Sequence, residues 1–249
     1  MLHELIQMWK KIGLLEKALK NFLKMIDSAE QMFACSVDAL FDPAQITDAR
    51  DLIYKKDVKV NKKQRKIRKE LVEHLAVNPR ADAPACLILM SVIKDVERAG
   101  DYCKNLLEVA DMAKQPIAQS KYASDLREMA ADVAGSFALT RKAFAEEDHS
   151  LASQLIVQET KLAKRGDATI EKVADDDELD ANQAVCLALA FRFLKRVDAH
   201  LGNVASSVVM PLHKIDYFDE KLATKDIPDP QTAQADAADQ NDSEEQGEN

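Results

Sequence analysis

Proline is the strongest constraint on this chain, because it occurs at five places in the first 213 residues and hardly anything else interrupts helix formation between them. Pro43, Pro79, Pro84, Pro116 and Pro211 each lack the backbone donor that a helix interior needs, so they mark helix ends and first turns. Only six glycines occur in 249 residues, which excludes turn-rich sandwiches and glycine-dependent nucleotide loops. The stretches between breakers read as six helices, at 2–41, 46–77, 83–113, 119–146, 149–174 and 181–210. The joints carry turn chemistry: FDPAQ at 41–45, NPRADAP at 78–84, KQP at 114–116, EEDHS at 146–150 and ADDDELDAN at 174–182, where Asp and Asn can cap the following helix.

Each helix has one face to bury. Ile53, Val60, Ile67 and Leu71 fall on one stripe, as do Cys86, Met90 and Ile93, and Phe191, Leu194, Leu201 and Val208. PACLILM at 84–90 is echoed by QAVCLALA at 183–190, and ERAGDYCKN at 97–105 by KRVDAHLGN at 195–203. The expectation is an all-α protein of two tandem three-helix bundles, over 1–116 and 117–213. A short helix after Pro211 and a disordered acidic tail would fill 214–249.

The charge is unevenly placed. The formal net charge is -9, yet residues 226–249 hold eight acids and no Lys or Arg, so the body is near neutral. Nothing here suggests a globally basic nucleic-acid binder. The longest apolar run, 86–93, is far short of the ~20 residues of a membrane span, and the N-terminus lacks the pattern of a secretory signal, so a cytoplasmic location is expected. Cys35, Cys86, Cys103 and Cys186 have no metal or redox spacing; three lie in apolar stretches (MFAC, ACLIL, VCLAL) and are expected to pack as small hydrophobes.

Polar groups that interrupt apolar stripes mark the candidate chemistry. In the second helix Asp57 breaks the seam, with Asn61 one turn on; in the third, the seam runs into Glu97 and then Asp101. Residues four apart share a helix face, so each helix offers two oxygen-bearing side chains together. Acids converging on one bundle face repel unless a cation sits among them, and either a metal or Arg98 could serve. Oxygen donors suit magnesium, manganese or iron, and zinc less where neither Cys nor His joins. The alternative is an acid pair at the solvent edge, bridged to Lys94, Arg98 or Lys104. The second helix also carries nine Lys or Arg between 55 and 69. They form either a solvated face or a docking patch, centred on Lys62, Lys63, Arg65 and Lys66, for an acidic partner or an anionic membrane surface. That patch could also attract the chain's own acidic tail. Glu146 and His149 make the one Glu-x-x-His match and lie in a polar turn; no nucleophile elbow or phosphate loop is present. Gly100 and Gly202 are isolated glycines within helices, suited to close packing.

KDVKVN at 56–61, followed by KDVERAGDYCKNLLE at 94–108, is similar to the PhoU family of phosphate-signalling regulators, over roughly residues 10–212. The resemblance implies a six-helix fold and a non-enzymatic protein acting by binding. Its partner would be a phosphate transporter, including a sodium-coupled carrier, or a phosphate-sensing histidine kinase. It implies a homodimer peripheral to the inner membrane face, while the charge balance points to no nucleic-acid partner. It also implies a metal (iron, manganese, magnesium or zinc) held by Glu97 and Asp101, with Asp57 and Asn61 from the neighbouring helix. In the second repeat Lys195 stands where Glu97 stands and Ala199 where Asp101 stands, while Glu159 in the fifth helix is followed by Ala163. Any metal is therefore expected in the first bundle only. The rival functions are a metal-free helical scaffold and a carboxylate-bridged metal enzyme.

Overall fold

The computed structural model describes residues 13–77 and 82–216. These residues form six α-helices: α1 Gly13–Phe41, α2 Ile46–Val77, α3 Ala83–Met112, α4 Ala123–Glu146, α5 His149–Ala174 and α6 Ala181–Val209. The expected helical residues 2–12, part of the turn before α3, and the acidic tail lie outside the described residues.

The breakers act as their chemistry dictates. Pro43 opens a short 3-10 turn whose cap, Asp42, accepts from the Ala44 backbone N–H at 3.0 Å. Pro84 stands in the first turn of α3. Asp148 caps α5 by accepting from the Leu151 N–H at 2.9 Å, and Asp180 caps α6 in a reciprocal box with Gln183. Glu147, in the left-handed region at φ 56°, turns the chain between α4 and α5. This separates Glu146 and His149 onto two helices, so they form no shared face.

Several boundaries differ from expectation. The fourth helix begins at Ala123, not 119, because Pro116 and Ser120 are extended and the chain between them closes as a 3-10 turn, Ile117–Gln119, with Ile117 buried. Only Leu212–Lys214 forms a 3-10 turn after Pro211 among the described residues. The ends of α3 and α6 each fall one residue short, where Ala113 and Met210 turn extended.

α1, α2 and α3 pack on one another, as do α4, α5 and α6, and the two sets join through α3 against α6 and α1 against α4. One apolar core runs through both. Ile53, Val60, Ile67 and Leu71 are buried, as are Phe191, Leu194, Leu201 and Val208. Phe22 and Phe33 of α1 meet Phe144 and Phe137 of α4, with ring centroids 4.7 and 5.4 Å apart. Met90 is only half-buried beside its buried stripe neighbours Cys86 and Ile93. Among the cysteines, Cys86, Cys103 and Cys186 are buried while Cys35 is half-buried, because MFAC turns its last residue toward the helix edge. A Cβ on Gly100 would stand 3.3 Å from the Met32 Cε, so the glycine serves the close approach of α1 and α3.

Candidate functional site on α2 and α3

The apolar side of α3 is filled by Val92, Val96, Ala99, Gly100 and Cys103, which leaves Glu97, Asp101 and Lys104 together along its edge at helical spacing. Across from them α2 buries Ile53 and Val60 and places Asp57 and Asn61 on the flank toward α3. The structure thus brings together residues from both sequence motifs.

Lys104 stands at the centre. Its Nζ donates to Asp57 Oδ1 at 3.0 Å and lies 2.7 Å from Asp101 Oδ1, so one ammonium bridges carboxylates on two helices. Arg98 Nη1 reaches Asp101 Oδ2 at 3.3 Å, and Asn61 Nδ2 donates to Asp57 Oδ2 at 3.2 Å. Burial alone would lower the Lys104 pKa, but its hydrogen bonds to Asp101 and Asp57 outweigh that and hold it above the usual lysine value. Glu97 differs. Burial, and then the nearby Asp101 charge, lift its carboxyl above the usual range, and its cation contact is the loose one to Arg98 Nε at 3.9 Å.

As arranged, these oxygens do not fit a metal ion. The place of a cation between Asp57 and Asp101 is taken by the Lys104 ammonium, and among the described residues no three His, Cys, Asp or Glu side chains converge as a ligand set. The corresponding edge of α6 carries Lys195, paired with Asp167 of α5.

Two of the buried acids, Asp95 and Asp198, are not among the candidate site residues. Asp95, 1% exposed, accepts from His200 Nδ1 and Asn203 Nδ2 of α6, both at 2.9 Å, and from Lys94 Nζ at 2.9 Å. Burial pushes its carboxyl up, but those three donors more than offset this and hold it below the ordinary range. Its signal was present: it sits three residues after Val92 and four before Ala99, on the apolar face. Asp198, which falls on the α6 stripe, is 2% exposed with Oδ2 unpartnered, and burial drives its carboxyl up to about 6. The Ser136 hydroxyl opposes that rise, and the Asp132 charge adds to it.

The solvent-facing side of α2 is basic. Lys62, Arg65 and Lys66 are exposed and Lys63 is half-buried. Burial pushes the Lys63 ammonium down, helped by the charges of Lys24, Lys59, Lys56 and Lys66. Opposite charge is sparse and loosely placed: Lys66 is 3.8 Å from Glu70 and Lys69 is 3.6 Å from Glu73. Tyr54, Val58 and Val72 are exposed along the same helix. A cleft of about 620 Å³ between α1 and α4, lined by Phe33, Val37, Phe41 and Arg127 among others, includes none of these residues. No described helix is long and apolar enough to cross a membrane.

Comparison with known families matches residues 22–110 to the PhoU domain, a span that contains the whole α2–α3 site. Comparison with curated proteins returns no match. The fold is similar to the crystal structure of PhoU from Pseudomonas aeruginosa, with a TM-score of 0.70 at 20% identity, over 79% of this chain and 95% of that one. It is also similar to the phosphate transport system regulatory protein PhoU from Streptococcus pneumoniae, with a TM-score of 0.70 at 18% identity, over 83% of this chain and 96% of that one. The chain carries a PhoU domain across its first three helices and has the six-helix fold of PhoU proteins.

Proposed function

We propose that the chain regulates phosphate uptake or phosphate signalling by binding, without turnover, and that it docks through the basic flank of α2. Its partner is a phosphate transporter or a phosphate-sensing histidine kinase, met at the cytoplasmic face of the membrane, and the chain acts as a homodimer. The PhoU domain match over 22–110 supports the regulatory reading. The observation that carries the docking mode is the run of nine Lys or Arg between 55 and 69, of which Lys62, Arg65 and Lys66 are exposed and meet acids only loosely, Lys66 at 3.8 Å from Glu70. Like charges held together on a folded surface repel, and an anionic partner relieves that repulsion while steering association. Lys62, Lys63, Arg65 and Lys66 are the contact residues in this reading. The division at 116/117, with the second unit ending at 213, belongs to it too, since the domain match falls wholly within the first unit.

A metal ion held by Asp57, Asn61, Glu97 and Asp101 is the rival account of the same oxygens, and it requires Lys104 to swing out. The under-neutralised Glu97 carboxyl is the observation in its favour. Phosphate uptake in cells lacking the chain, complemented with wild type or with Lys62, Lys63, Arg65 and Lys66 all changed to Glu, tests the regulatory reading. The variant is expected to behave like the deletion while remaining folded. Uptake identical in deletion and complemented cells would remove phosphate regulation as the function.

A further inference from the structure

We propose that Lys104 is the resident cation of the α2–α3 acidic site, so that Asp57 and Asp101 are bridged and their two helices joined without a metal ion. Asp57 and Asp101 come from different helices, and their carboxylates would repel across the seam if both faced it alone. A single ammonium, 3.0 Å from one and 2.7 Å from the other, turns that repulsion into a bridge. Lys104 is 22% exposed and its partners 14% and 27%, so the bridge is partly screened from solvent and its geometry is held by both helix backbones. Arg98 adds a second cation on Asp101. Together the two cations leave one acid of the three, Glu97, in surplus, with only the loose contact to Arg98.

A divalent ion would need oxygens at about 2.0–2.6 Å and would have to share its space with a protonated amine. Its donors are already directed at the two aspartates, on Asp57 Oδ1 and Asp101 Oδ1. The internal repeat carries a matching covariation. Where the acid pair of α3 becomes Lys195 and Ala199 in α6, the position equivalent to Lys104 is Gly202. The bridging lysine is absent where the α3 acid pair is absent, as expected of a counter-charge. A covalently attached cation also makes the α2–α3 pairing independent of metal supply.

The test is a titration of the purified full chain, stripped with chelator, with Mn²⁺ and separately with anaerobic Fe²⁺, followed by calorimetry and by melting temperature. Wild type is expected to show no saturable uptake and the same melting temperature with and without chelator. Lys104→Met should gain saturable Mn²⁺ binding, about tenfold or more tighter than wild type, and Lys104→Arg should stay metal-free. Stoichiometric Mn²⁺ or Fe²⁺ uptake by wild type that is lost in Asp101→Asn would overturn the assignment. So would a folded Lys104→Met that binds no more tightly than wild type. If Lys104→Met does not fold, the wild-type titration decides alone. Metal content is read on purified protein and phosphate control in cells, so the resident cation and the regulatory role can fail separately.

Discussion

Asp198 is a buried acid with an unpartnered oxygen, and its titration can be followed in stability. Its carboxyl ionises near 3.9 when unfolded and at about 6 when folded, so the folded state binds the extra proton. Stability therefore falls as pH rises from about 4 to about 6, by roughly 3 kcal/mol at most, and stays reduced above that. Asp198→Asn should raise stability at pH 7.5 by roughly 1–3 kcal/mol and leave it unchanged near pH 4, as read from urea midpoints at the two pH values. Asp95 has the opposite sign. Its folded pKa is depressed, so its contribution is present above the ordinary carboxylate range and is lost only as pH falls through the lower folded value. Asp95→Ala should cost about 3–5 kcal/mol at neutral pH, because Lys94, His200 and Asn203 lose the acceptor they share. A loss below about 1 kcal/mol would show that water replaces the carboxylate. Asp57, Asn61, Glu97 and Asp101 were readable because helical spacing places them on a common edge. Lys104 was readable only as one of several possible salt-bridge partners, since spacing within α3 says nothing about which charge α2 brings opposite it.

Among the elements, α4 and α5 offer a matched pair of glycines that differ only in surroundings. Gly135 has open space where a Cβ would be, whereas a Cβ on Gly166 would stand 3.0 Å from the Met129 Cε. Gly135→Ala should stabilise by about 0.5–1 kcal/mol through helix propensity alone. Gly166→Ala should gain less than Gly135→Ala, because Met129 must move; thermal melts of the two variants decide. Equal gains would mean that the Met129 side chain shifts without cost. Asp180→Ala should cost about 1 kcal/mol by removing the box that starts α6. The extents of α2 and α5 followed from proline, aspartate caps and periodicity, signals carried by adjacent residues. The start of α4 did not, because the 3-10 turn at Ile117–Gln119 depends on burying Ile117 against the core, a long-range contact with no local mark.

In the whole molecule, the repeated sequence blocks anticipated two sets of three helices, but not the α3–α6 and α1–α4 seams that merge them into one core. The α3–α6 seam is polar at Asp95, His200 and Asn203, and the α1–α4 seam is aromatic at Phe22, Phe33, Phe137 and Phe144. A polar anchor beside an aromatic contact fixes how one set sits on the other, and so holds the basic flank of α2 and the acidic edge it shares with α3 in one orientation. The net charge of -9 conceals this arrangement, because acids elsewhere outweigh a local concentration of lysine. Docking through that concentration is the central claim, and co-sedimentation of the purified chain with inverted membrane vesicles from phosphate-starved cells, across a salt series, measures it most directly. The account predicts binding that weakens steeply as salt rises and is abolished when Lys62, Lys63, Arg65 and Lys66 are changed to Glu, with the fold intact by circular dichroism. Binding that is indifferent to salt and equal in the variant would contradict it.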